Sequence, residues 1–308
     1  MSVLTAKHLH DEKAAYEFVE AHVWPDGPVC PHCGGYERIG AMGGESTRIG
    51  TYKCYQCRKP FTVKVGTIFE SSHVKLHLWL QAIFLMASSK KGISSNQLHR
   101  TLGVTLKTAW FMSHRIREAM REGSFSPMGG SGKVVEADET YIGRKKGKTK
   151  GPGYEHKRAI FTLVERDGRA RSFHIDQATI KTVTPILKAN VDRETSLMTD
   201  DAGQYRHMAK SFAKHGVINH STKEYVRGEI STNTVEGFFS IFKRGMKGVY
   251  QHCGEQHLHR YLAEYDFRYN ERAALGVNDE ERASRALKGI VGKRLTYRTT
   301  SRKVSAHG

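Results

Sequence analysis

Two cysteine pairs near the N-terminus, Cys30-Pro-His-Cys33 and Cys54-Tyr-Gln-Cys57, restrict the fold of this chain more than any other feature. Each C-x2-C run can turn two thiolates onto one tight knuckle. Two such knuckles, twenty residues apart, can close a tetrahedral four-sulfur site. One structural Zn2+ is therefore expected on Cys30, Cys33, Cys54 and Cys57. Gly34-Gly35 and Arg58-Lys59-Pro60 supply turn chemistry after each pair. Short β-prone pieces at 36–40, 47–52 and 61–65 predict the strands of a zinc ribbon. His32 lies inside the first knuckle, but four thiolates already complete the shell. A redox role lacks the βαβ setting it needs, and the odd fifth cysteine, Cys253, argues against a disulfide framework.

The charge balance narrows the partner. Forty-nine Lys and Arg stand against 31 Asp and Glu, a net +18 over 308 residues. Such an excess favours a polyanion, and DNA is the expected partner. The longest apolar stretch, 76–87, is too short to span a membrane and carries His77 and Gln81. The N-terminal residues lack the apolar run of a signal peptide, so a cytoplasmic, nucleoid-associated location is expected. Changes of pattern divide the chain into an N-terminal helix and ribbon (1–70), a helical block (71–122), a glycine-rich linker (123–132), an α/β domain (133–275) and a basic tail (276–308).

In the helical block, Leu76, Trp79, Leu80, Ile83, Phe84 and Ala87 recur at three- and four-residue spacing. A short helix then starts with Ser94 or Ser95 as N-cap, ends at Gly103, and is followed by another that Thr105 can cap. Helix, glycine-containing turn and second helix outline a helix-turn-helix. Its second helix offers Lys107, Thr108, His114, Arg115 and Arg117 to DNA. The other reading is a plain helical bundle that joins two domains.

The order strand, strand, strand, helix, strand, helix after the linker predicts a ribonuclease-H-like mixed sheet with flanking helices. Asp138 falls inside the first strand and Asp200 at the end of the fourth, strands that lie side by side in that fold. On the last predicted helix, 232–247, Val235, Phe238, Phe239, Phe242 and Met246 form an apolar stripe. Asn233, Glu236, Ser240 and Lys243 fall on another face. Carboxylates held close repel one another unless a cation joins them, and hard oxygen ligands suit Mg2+ or Mn2+. Two such ions can activate an attacking oxygen and stabilise a leaving one in phosphodiester chemistry. The segment 143–157 adds Arg144, Lys145, Lys146 and Lys148 on a glycine-rich hairpin or loop. That loop is suited to a phosphate backbone, or is simply solvated. From Arg282 to the end there are eight Lys or Arg and no acid, which predicts a tail that orders on DNA.

With these motifs in order, VVEADETYIGRKKG, SLMTDDAGQY, INHSTKEYV, STNTVEGFFSIFKRGMKGVYQH and HRYLAEYDFRYNER, the chain resembles bacterial insertion-sequence transposases of the DDE superfamily, the ISXO-like group with an N-terminal zinc ribbon. The resemblance implies a cut-and-join enzyme. Asp138 and Asp200 would be its first two acids and Lys243 the accompanying base. The third position falls to Glu236 or to Asn233, since the group uses either an acid or an asparagine there; spacing to Lys243 and stronger metal binding favour Glu236. Asp201 rivals Asp200. The implied activity is binding of terminal inverted repeats, metal-dependent DNA cleavage and strand transfer, by at least a homodimer on DNA. The competing readings are a DNA-binding regulator without catalysis and a structure-specific ribonuclease.

Overall fold

The computed structural model describes residues 3–122, 126–222 and 224–295. It has two compact units: residues up to Gln81 together with those from Leu287, and Ala82–Ala286. Among the described residues no helix is long and apolar enough to cross a membrane.

The first unit begins with α1 (Glu12–Val23), whose N-cap Asp11 accepts the Ala14 N–H at 2.8 Å. Ala15, Tyr16 and Val19 line its buried face. Then β1 (Ile39–Ala41), β2 (Tyr52–Cys54) and β3 (Pro60–Phe61) form an antiparallel sheet in that order. These strands are shorter than the β-prone pieces suggest and are shifted from them. The knuckles impose the register, the Cys54 N–H pairing with the Lys59 carbonyl across the second turn. α2 (Leu76–Ser88) starts under a cap from another helix, the Glu12 carboxylate accepting the N–H groups of Leu76 (2.8 Å) and His77 (3.2 Å).

In the second unit, α3 (Ser95–Leu102) and α4 (Leu106–Ala119) follow the expected signals. Ser94 caps the first through the Gln97 N–H, Gly103 closes it at φ 66°, and Thr105 caps the second through the Thr108 N–H. Next come β4 (Val134–Ile142), β5 (Arg158–Glu165), β6 (Ala170–Ile175), α5 (Ile180–Asn190), β7 (Ser196–Asp200) and β8 (Lys214–Ile218). A small hairpin, β9 (Val226–Arg227) and β10 (Ile230–Ser231), precedes α6 (Asn233–Gly245). The chain continues through a π-helical turn, Met246–Tyr250, into α7 (Leu258–Asn270) and then α8 (Asp279–Lys288). Five strands form one sheet in the order β6-β5-β4-β7-β8, antiparallel on the β5–β6 side and parallel on the β7–β8 side. This is the predicted ribonuclease-H-like arrangement. Helix α5 packs Val183 and Leu187 on one face with Val135, Ala137, Phe161, Leu163 and Leu197. Helices α6 and α7 pack the other face, with Val235, Phe238, Phe242 and Leu262 against Ile160 and Val164.

Four expectations need correction. Arg117 is 1% exposed, and its Nε donates to Glu264 of α7 at 2.7 Å. Glu264 also accepts from Arg268 and from the Tyr250 hydroxyl, so one fully buried carboxylate ties α4, α7 and the π turn together. Arg115 is buried against the Phe111 ring, and His114 is 0% exposed beside Trp110 and Tyr261. These three therefore do not face a DNA groove: Arg117 is paired with Glu264, and Arg115 and His114 pack against aromatic rings beneath α4. Lys107, in the first turn, is exposed. The basic tail is also largely structured as far as it is described. α8 buries Ala286 and Leu287, and Ile290 is fully buried with its carbonyl accepting the Ile68 N–H. Residues 296–308 of that tail, and 123–125 of the linker, lie outside the described residues.

Candidate active site and zinc centre

Alternation along β4 decides what the α6 side of the sheet receives. Val135 and Ala137 enter the α5 core, so Glu136 and Asp138 point the opposite way. The ladder to β7 is parallel, with Val134 opposite Ser196 and Glu136 opposite Met198. Carried two residues on, the same register brings Asp138 abreast of Asp200. Both line one cleft of about 690 Å³, with Lys243 and Lys247 on its α6 side and Tyr141, Tyr154 and Lys157 on the hairpin side. Asp201 follows the strand end and is exposed outside this wall.

Electrostatics in the cleft follow from crowding. Burial first, then the charges of Glu139 and Asp200, pushes Asp138 up to about 8. Burial also raises Asp200, against the Ala202 N–H that its Oδ1 accepts at 3.1 Å. Lys243 is shifted down by burial while Asp138 pulls it up. The acids Asp138, Glu139 and Asp200 thus share the cleft wall with the basic Lys157, Arg158, Lys243 and Lys247. The hard oxygen donors of these acids fit Mg2+ or Mn2+.

Glu236 differs from the expectation. Its Oε1 accepts from the Thr232 hydroxyl at 2.9 Å and lies 3.3 Å from His220 Nε2, though its charge still reaches Asp138. Asn233, the first residue of α6, is exposed. Among the described residues, the four cysteines are the group whose ligating atoms all lie within 4.8 Å of one another; the carboxylates of residues 138, 200 and 236 are more widely spread. Like charges in a desolvated cleft repel, and Glu236 instead takes the donors offered by Thr232 and the turn after β8.

Glu136, which carried no expectation, fixes where α6 begins. Fully buried, its carboxylate accepts the backbone N–H groups of Thr234 (2.8 Å) and Val235 (3.0 Å), the Thr234 hydroxyl (2.9 Å) and Arg166 Nε (2.7 Å). It neutralises the helix N-terminus and anchors it two residues from Asp138. Arg166 also donates to the Glu229 and Ser231 carbonyls, which locks the β9–β10 hairpin to the same point. The period of two in VVEAD was the available signal. His220 and Glu139 were also unassigned. Glu139 lies in the cleft wall and is held by the Tyr205 hydroxyl at 2.6 Å and Gln204 Nε2 at 2.5 Å.

On the basic hairpin Arg144, Lys146 and Lys148 are exposed, whereas Lys145 is half-buried and donates to the Asp176 carbonyl at 2.7 Å. Arg158 anchors the hairpin base through the carbonyls of Cys253 (2.5 Å) and Arg144 (3.2 Å). In the ribbon, Cys30 and Cys57 Sγ are 3.6 Å apart and Cys33 and Cys54 Sγ 3.7 Å. A tetrahedron with Zn–S bonds of ~2.3 Å has edges of about 3.8 Å, so the four sulfurs fit the ion. Cys253 stays apart, its thiol pushed up to about 11 by burial.

Residues 129–270 match the ISXO2-like transposase domain, and residues 10–60 match the transposase zinc-ribbon domain. The chain carries an ISXO2-like transposase domain. The first match spans all five sheet strands, α6 and α7; the second contains both cysteine knuckles. A relative from Halobacterium salinarum, described as an uncharacterized protein in transposable element ISH50, is 25% identical over 284 residues, covering 86% of this chain and 93% of that one. A simian T-cell lymphotropic virus intasome in complex with PP2A regulatory subunit B56 gamma is similar at 15% identity, over 55% of this chain and 63% of the other, with a TM-score of 0.28. A likeness of that degree adds nothing about this chain.

Proposed function

We propose that this ISXO2-like chain binds the terminal inverted repeats of its insertion sequence, cleaves DNA there and joins the freed ends to a target. The placement of Asp138 and Asp200 on adjacent parallel strands, in one cleft with Lys243, carries this reading. Asp138 and Asp200 would hold the divalent ions, and Glu236, now engaged by Thr232 and His220, would be the third ligand. Asn233, exposed at the helix start, is the other candidate for that third place. Two bound Mg2+ or Mn2+ ions would supply the positive charge that activates the attacking oxygen and stabilises the leaving one. Lys243 pairs with a phosphate oxygen beside the acids. Water attacks at the element end in the first step, and the released 3′-hydroxyl attacks a target phosphodiester in the second. Arg144, Lys146, Lys148 and Lys107 contact phosphates, with Thr108 beside Lys107. Joining two ends requires two active sites, so the complex on DNA is at least a homodimer.

The test is strand cleavage of end-containing DNA in Mg2+ by the wild-type protein, Asp138→Asn and Asp200→Asn. Loss of cleavage in both variants with DNA binding kept supports the reading. A protein that binds the ends equally with or without these acids and never nicks them is a regulator. Cutting of RNA hybrids regardless of sequence would mark a ribonuclease.

A further inference from the structure

Tyr154 stands on the most polar segment of the chain, a hairpin with six Lys or Arg and one Glu over residues 143–157. Such a segment has no core of its own in which to bury an aromatic ring. The ring instead lies flat on Tyr141, at the outer end of β4, with centroids 4.5 Å apart and planes 13° from parallel. It remains 56% exposed. Both rings line the same cleft as Asp138, Asp200 and Lys243. The Lys157 ammonium lies 4.9 Å from the centre of the Tyr154 ring, so a cation that can move to a phosphate accompanies the stack. The cleft, at about 690 Å³, has room for a nucleotide.

We propose that Tyr154, backed by Tyr141, is a stacking platform for an unpaired nucleobase of the strand that enters the Asp138–Asp200 cleft. A base inside a duplex is already covered on both faces; only one that has left its stack presents a π-face to protein. The Tyr141 ring holds Tyr154 in one orientation, so little side-chain freedom is lost when a base arrives. Every base has such a face, so the platform serves position rather than sequence. It would fix the nucleotide next to the phosphate held by Lys243, and so help set which bond meets the two acids.

This inference rests on DNA entering the cleft, as the proposed function requires. Its test uses the full chain in Ca2+, which replaces Mg2+ so that the probe is bound and not cut. The probe is a DNA duplex with a short single-stranded overhang that carries 2-aminopurine, whose fluorescence falls when it stacks on an aromatic ring. Wild-type protein should quench the probe. Tyr154→Ala should abolish the quench and weaken binding roughly 5- to 150-fold. Tyr154→Phe should keep both, because stacking needs the ring and not the hydroxyl. Lys157→Ala should weaken binding in a salt-dependent way while the quench at saturation persists. An unchanged thermal midpoint for Tyr154→Ala shows that the exposed site, and not the fold, has been altered. Equal quenching by Tyr154→Ala and wild type at saturation overturns the platform, as does Tyr154→Phe behaving like the alanine variant. Cleavage of end-containing DNA by the wild type in Mg2+ separates the two failures. DNA cut without any quench removes only the platform, whereas no binding of DNA removes the transposase reading as well.

Discussion

Single buried carboxylates do different work in this chain according to what surrounds them. Glu136 is paired on every side, by a guanidinium, two helix N–H groups and a hydroxyl. Glu136→Ala strands those donors and frees the start of α6, so a loss of about 2–4 kcal/mol is expected, read as a lower urea midpoint. Glu136→Gln, which still accepts the helix N–H groups, should lose less. Asp266 is the opposite case. Burial pushes it up to about 7, ahead of the lowering by the Ser172 hydroxyl and N–H that it accepts. The folded state thus holds its proton where the unfolded chain, near 3.8, has released it. The sign follows from linkage: the stability Asp266 contributes is complete below pH ~4 and is lost as pH rises to ~7, then levels off. Asp266→Asn removes that dependence. Unfolding titrations from pH 4 to 8 should show the variant gaining on the wild type up to pH ~7, by at most about 4 kcal/mol, and by no more above it. A gap that does not change with pH would show that Asp266 is ionised throughout.

At the scale of the element, local signals were legible and distant pairings were not. Ser94, Gly103 and Thr105 end and start helices through bonds within a few residues, so their positions could be read directly. Arg117 looked like a groove-facing cation because its partner, Glu264, lies 147 residues away on α7. The cysteine knuckles belong to the first class, since each is a turn of four residues and only their joining is non-local. The ribbon has a small core, chiefly Cys30, Cys54 and Phe61 with Trp24 and Tyr52 packed against it. A core of that size is expected to gain most of its stability from a metal held by the four cysteines. A strong zinc chelator should therefore expose the amides of 30–61 to fast hydrogen exchange while those of the sheet between 134 and 218 stay protected. Unaltered protection in the ribbon would mean that the apolar contacts suffice without the ion.

Across the whole molecule, charge is the property that composition reports best. A net +18 places many more cations than acids on the surface, and the buried Arg115 and Arg117 take little from that excess. If ~6–10 phosphates are neutralised, affinity for DNA should fall by ~10³–10⁵ between 50 and 200 mM salt, with a linear log–log slope. Anisotropy titrations of a labelled duplex measure it. A slope near zero would mean that the exposed basic residues of the hairpin and of α4 do not touch the backbone. Net charge gives no hint of where the strand runs. That depends on which cations the fold leaves in water, as Lys145, tied to the Asp176 carbonyl, and Arg144 beside it illustrate.

By itself the order of residues determined the four-cysteine cluster, the strand and helix order of the five-stranded sheet, and the two aspartates that share it. These follow from spacing and periodicity, which act over a turn or a strand. Tertiary structure alone decided that Arg115 and Arg117 of α4 face inward, that Glu136 seats α6, that Glu236 engages Thr232 and His220, and that Tyr154 lies on Tyr141. Each of those rests on a partner far away in the chain. Its strength comes from desolvation and exact contact distance, and a linear pattern encodes neither.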